Sequence, residues 1–107
     1  MMDLKRISRK DCRKYLRLEY QLPLKIDQAF IDSIDVFGKP EYQFFSKISP
    51  KSKDLFRIRN YAFSFEIAGT MNDTFLTATF RMKDNEVVTY LEEEITNVLA
   101  ILLTKQS

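Results

Sequence analysis

Three groups of side chains in this 107-residue chain are of types that could do chemistry. Cys12 stands among Arg9, Lys10, Arg13 and Lys14, and neighbouring cations stabilise a thiolate and lower its pKa. The chain has no histidine, however, so the usual base that would complete a nucleophilic pair is missing, and an incidental free thiol is the simpler reading. The run Glu92, Glu93, Glu94 looks like half of an acid pair, but successive helical residues diverge by about 100 degrees and cannot converge on one substrate atom. Finally, Lys47, Lys51, Lys53, Arg57 and Arg59 lie close in sequence to Phe44, Phe45, Phe56 and Tyr61. Cations neutralise phosphates and aromatic faces accept unstacked bases, so this stretch is the RNA-contacting candidate, joined by Arg9, Lys10 and Arg13 near the N-terminus. Strands rich in Phe and Arg also occur at dimer edges and in cores.

The inventory excludes more than it suggests. One cysteine cannot form an internal disulfide or a tetrathiolate site, and the absence of histidine removes the commonest zinc ligand. With Gly38 and Gly69 the only glycines, neither a dinucleotide fingerprint nor a phosphate-cradling loop can be written. We therefore expect no catalytic residues, no metal and no cofactor, and a binding, structural or assembly role.

Charge is unevenly spread. Residues 1–17 carry seven basic and two acidic side chains, whereas the other ninety carry ten basic and thirteen acidic, so the net charge of +2 hides a basic start and a mildly acidic body. Such an arm steers phosphates or acidic surfaces, and it is also what a solvated terminus looks like. The division expected is a basic arm over 1–14 and a single domain over 15–107. The longest apolar run, Val98 to Leu103, falls far short of the roughly 18 residues a membrane span requires, and no apolar leader follows Met1. A cytoplasmic protein with no membrane partner is expected.

Elements must position these groups. Leu16, Leu18, Tyr20 and Leu22 alternate with Arg17, Glu19 and Gln21, the two-residue period of a strand with one wet face, ended by Pro23. Ser8 to Asp11 has the form of a capping box, so the arm could open with a short helix. Ile26, Ala29, Phe30, Ser33, Ile34 and Phe37 fall at helical spacing, predicting about three turns, stopped by Gly38 in a left-handed conformation and by Pro40. Tyr42, Phe44 and Ile48 predict a short strand before a basic loop. Phe56 and Ile58 are apolar at even positions and Tyr61, Phe63, Phe65 and Ile67 at odd ones, which demands a bulge or break near Asn60, with the three aromatics after it facing inward. Turn residues from Ala68 to Asp73 and the alternation of Leu76, Ala78, Phe80 and Met82 with Thr77, Thr79 and Arg81 complete a hairpin. Asp84 and Asn85 then cap a terminal helix carrying Val87, Val88, Leu91, Ile95, Val98, Leu99 and Leu102.

The fold class expected is α+β, a two-layer sandwich in which an antiparallel sheet of three to four strands carries two helices on one face, in the order strand, helix, weak strand, strand, strand, helix. The last helix is apolar around its whole circumference from Ala100 to Leu103, which calls either for a partner or for complete enclosure in the core.

Two stretches resemble a known family. Leu16 to Pro23, LRLEYQLP, running into the helix of Ile26 to Phe37, looks like the opening of the small dimerising subunit of the KEOPS (EKC) complex, and Ala78 to Leu103, ATFRMKDNEVVTYLEEEITNVLAILL, is similar to that family's close. The resemblance implies a non-catalytic subunit that dimerises with itself or a paralogue and uses its helices to hold a larger catalytic subunit making threonylcarbamoyladenosine in tRNA. It places partner-binding positions at Asp27, Ile31, Glu94, Val98, Ile101 and Leu102, and dimer or sheet positions at Phe63, Phe65, Leu76 and Phe80. The alternative is a free-standing RNA-binding module using the basic arm and the surface from Lys47 to Arg59, with tRNA as a candidate ligand.

Overall fold

The computed structural model describes residues 4–105, so the ends of the expected arm and domain, 1–3 and 106–107, lie outside the described residues. Six strands build one sheet: β1 (Lys5–Asp11), β2 (Leu16–Gln21), β3 (Pro40–Gln43), β4 (Leu55–Asn60), β5 (Phe65–Thr70) and β6 (Phe75–Phe80). They lie in the order β1-β2-β6-β5-β4-β3 and every neighbouring pair is antiparallel. One long helix, α2 (Asn85–Lys105), follows β6, and a six-residue helix, α1 (Gln28–Ser33), lies between β2 and β3. A six-stranded sheet with one long C-terminal helix thus replaces the expected sheet of three to four strands with two helices.

The register explains the core. In one row Arg9, Leu18, Ala78, Ile67, Ile58 and Pro40 stand opposite one another across all six strands, and the next row runs Arg6, Tyr20, Leu76, Gly69, Phe56, Tyr42. These rows face Val88, Leu91, Ile95 and Leu99 of α2 and Phe30, Ile31, Ile34 and Phe37 of the segment around α1, all in one buried cluster. Because side chains alternate across a strand, the residues between them point to the opposite, uncovered face.

The largest departures from expectation have local causes. Lys5–Asp11, read as an arm with a helical start, is edge strand β1, exposed along its whole length. With neither face buried, no apolar alternation is needed, and the sequence shows none. The helix expected over Ile26 to Phe37 is α1 followed by a turn of 3-10 helix, Asp35–Phe37. Asp27 caps α1 by accepting from the Phe30 amide at 2.9 Å. Gly38 is extended, with φ 161, not left-handed. Glycine is required there for another reason: a Cβ would lie 2.5 Å from the Arg59 carbonyl oxygen. The break near Asn60 is real, since β4 ends at that residue and a turn leads to β5. Asn60 holds the turn by accepting from the Phe63 amide at 2.8 Å and donating to the Phe37 carbonyl at 2.8 Å. Tyr61 and Phe63 ride on this turn and are exposed, so of the three aromatics expected to face inward only Phe65 does.

Candidate nucleic-acid interface

The uncovered face is where charged side chains meet. At the end of the sheet bearing the β1–β2 turn, one row across five strands reads Lys10, Arg17, Thr79, Glu66, Arg59. The turn itself is tight: the Cys12 amide donates to the Tyr15 carbonyl at 2.8 Å and the Tyr15 amide to the Cys12 carbonyl at 3.3 Å. Lys14 and Tyr15 are thereby set beside Arg17. Arg81 follows Phe80, whose ring is in the core, and its amide donates to the Ser64 carbonyl at 3.0 Å, so the end of β6 is tied to the Asn60 turn.

These elements enclose an open cavity of about 750 Å³ lined by Lys14, Tyr15, Arg17, Arg59, Tyr61 and Arg81, with Glu66 as the only carboxylate. Glu66 is already engaged by two guanidinium groups, Arg59 at 3.3 Å and Arg57 at 3.4 Å. Arg17 carries no ion pair among the described residues. Its Nε is shielded from solvent and has no hydrogen-bond partner, and its guanidinium carbon lies 5.5 Å from the centre of the Tyr15 ring. The Tyr15 phenol is pushed up first by its hydrogen bond with Cys12, so it stays neutral at ordinary pH. Contacts to Tyr61 and then to Glu66 raise Arg59, which keeps its charge fixed. Excess cation beside tyrosine rings suits a phosphate carrying an aromatic base.

The candidate residues do not form one surface. Arg59 and Lys10 join the cavity row, and Arg13 lies in the adjoining turn. Arg57 sits on the same face but is neutralised between Glu41 at 3.2 Å and Glu66. Arg9 points to the helix side of β1 and pairs with Asp11 at 3.7 Å. Lys47, Lys51 and Lys53 sit at the opposite end of the sheet, because β4 carries the chain about 17 Å from Leu55 to Asn60. Lys53 meets Asp73 there at 3.6 Å.

The partner positions taken from the family resemblance fare differently. Ile31 is wholly buried, Asp27 is the cap of α1, and Val98 and Leu102 pack against the core. Glu94 is half-buried, and only Ile101, 56 % exposed, is a bare large apolar side chain on α2. Phe65, Leu76 and Phe80 are core residues facing the helices, and Phe63 is on the turn against Tyr90, with ring centres 5.8 Å apart. None of these four lies on the uncovered face of the sheet.

Sequence reasoning missed Lys14, Tyr15, Arg17, Glu66 and Arg81. A usable signal was present for two of them, since Arg17 alternates with Leu16 and Leu18, and Arg81 with Phe80, so both belong on the wet face. Among the described residues no group of three His, Cys, Asp or Glu side chains is placed to hold a metal, and no helix is long and apolar enough to cross a membrane. Comparison with protein-family models, with curated proteins and with solved structures gave no match.

Proposed function

We propose that the protein is a non-catalytic module that binds single-stranded nucleic acid at the basic end of the uncovered sheet face. The observation that carries this reading is Arg17, a cation with no ion pair among the described residues, placed directly opposite Lys10 and beside Arg81, Lys14 and two tyrosines. Like charges facing each other across a strand pair are mutually destabilising, and a bound phosphate relieves that repulsion. Tyr15 and Tyr61 supply flat faces for bases, and the polyanion's charge matches the excess of cations. Docking of a catalytic subunit through the helices draws less support, because Ile31 is buried, Asp27 is engaged as the cap of α1 and Val98 and Leu102 pack partly against the core.

The test is fluorescence anisotropy with a labelled single-stranded oligonucleotide. Binding should weaken steeply with salt through counterion release, and the double variant Arg17→Gln, Arg81→Gln should lower both the affinity and the salt slope by about two phosphate contacts. No binding at low salt, or binding indifferent to that double variant, would overturn the proposal.

A further inference from the structure

At the far end of the sheet a second surface has a different character. After β3 the chain turns through a 3-10 helix, Phe45–Lys47, and leaves three large apolar side chains in the open: Phe44 is 47 %, Phe45 41 % and Ile48 85 % exposed. The turn holding them is well tied. The Ile48 amide donates to the Phe45 carbonyl at 3.0 Å, the Ser49 amide to the same carbonyl at 2.9 Å, and the Ser46 amide to the Asp54 carboxylate at 3.0 Å. Lys47 lies over the Phe44 ring, 4.9 Å from its centre, with Lys51 and Lys53 following on the same exposed loop. No acidic residue interrupts the segment from Phe44 to Lys53.

We infer that this loop docks on the surface of an anionic lipid bilayer, with Phe44, Phe45 and Ile48 entering the acyl boundary and Lys47 and Lys51 meeting lipid phosphates. Exposed apolar groups with cations interspersed along the same loop are matched by an interface that is apolar inside and anionic at its surface. A nucleic acid would use the lysines but gives Ile48 nothing to contact. A protein partner would need far more than three side chains, since a stable interface buries about 800 Å² on each partner. Docking of this kind needs no spanning helix, and it leaves the cavity at the other end of the sheet open.

The experiment is co-sedimentation of the full chain with vesicles of phosphatidylcholine alone and of phosphatidylcholine mixed with phosphatidylserine. The mixed vesicles should bind at least tenfold more protein. The double variant Phe45→Asp, Ile48→Asp should lower binding about tenfold or more. Lys47→Gln and Lys51→Gln should lower it roughly fivefold each. All of these positions are exposed, so thermal melts should stay close to those of the parent. Arg17→Gln with Arg81→Gln should leave vesicle binding intact, which separates this surface from the nucleic-acid site. Failure to bind the mixed vesicles, or binding unaffected by the apolar-to-Asp variant, would overturn the inference.

Discussion

The hydroxyl of Tyr20 donates to Oε2 of Glu92 at 2.7 Å, and the Arg6 guanidinium of the edge strand reaches the same oxygen. One carboxylate on α2 therefore fastens both the interior strand β2 and the exposed edge strand β1. The tight turn from Cys12 to Tyr15 sets Lys10 across from Arg17, while the latch holds the far end of β1, beyond the register shift between Arg6 and Ser8, against the helix layer.

Replacing Tyr20 by Phe should cost about 1.5–3 kcal/mol at neutral pH, the range for a hydrogen bond to a charged group. The cost should shrink at high pH. Burial first, and then the bond to Glu92, push the Tyr20 phenol far above its ordinary value of 10.0. A raised acid adds stability that is complete below its unfolded pKa and is lost above it, here by up to about 1.4 kcal/mol per pH unit beyond roughly pH 10. Urea denaturation of both proteins from pH 8 to 11 checks this, and a gap that stays constant with pH would contradict it.

Lys10→Gln removes one of two like charges that face each other across β1 and β2. The free protein should gain about 0.2–1 kcal/mol while oligonucleotide affinity falls. Stability by denaturant and affinity by anisotropy should therefore move in opposite directions, and a parallel loss of both would argue that Lys10 is structural.

Gly38→Ala and Gly69→Ala should differ in severity. At Gly38 the new Cβ meets a backbone oxygen, Arg59 O at 2.5 Å, whereas at Gly69 it meets side-chain atoms, Phe56 Cε1 at 2.7 Å and Ile26 Cδ1 at 3.0 Å. Overpacking typically costs about 1–3 kcal/mol, and the fixed backbone at Gly38 places that substitution at the upper end. Thermal melts of the pair give the order, and a Gly69 variant melting below the Gly38 variant would reverse it.

Ile31→Asp should abolish cooperative folding by placing an unpaired carboxylate in the core. Ile101→Asp should change stability by no more than about 0.5 kcal/mol, since that side chain is more than half exposed. Circular dichroism and size-exclusion chromatography distinguish the two. A shift from dimer to monomer in the Ile101 variant would restore the docking role for α2.

Much of this architecture was already legible in residue order. The alternation at Leu16, Leu18 and Tyr20, the helical spacing from Val88 to Leu99, the cap at Asp84 and the break at Asn60 all correspond to features of the fold. Each is a local effect, arising when one face of an element is buried or when a side chain satisfies a nearby amide. The lack of histidine and the shortage of glycine likewise restrict the chemistry whatever the fold.

Tertiary structure alone decided the rest. Strand β1 leaves no periodic trace because neither of its faces is covered, and the contact that ties it to the helix layer joins Arg6 to Glu92, 86 positions along the chain. The extended run of β4 divides residues that look like one basic patch in sequence, leaving Arg59 in the cavity and Lys47, Lys51 and Lys53 at the other end of the sheet. Gly38 follows the last helical residue as expected, but as extended backbone packed against the Arg59 carbonyl of β4. Local patterns state which side of an element is apolar, but which strand lies beside which is settled only when the whole sheet closes over its helices.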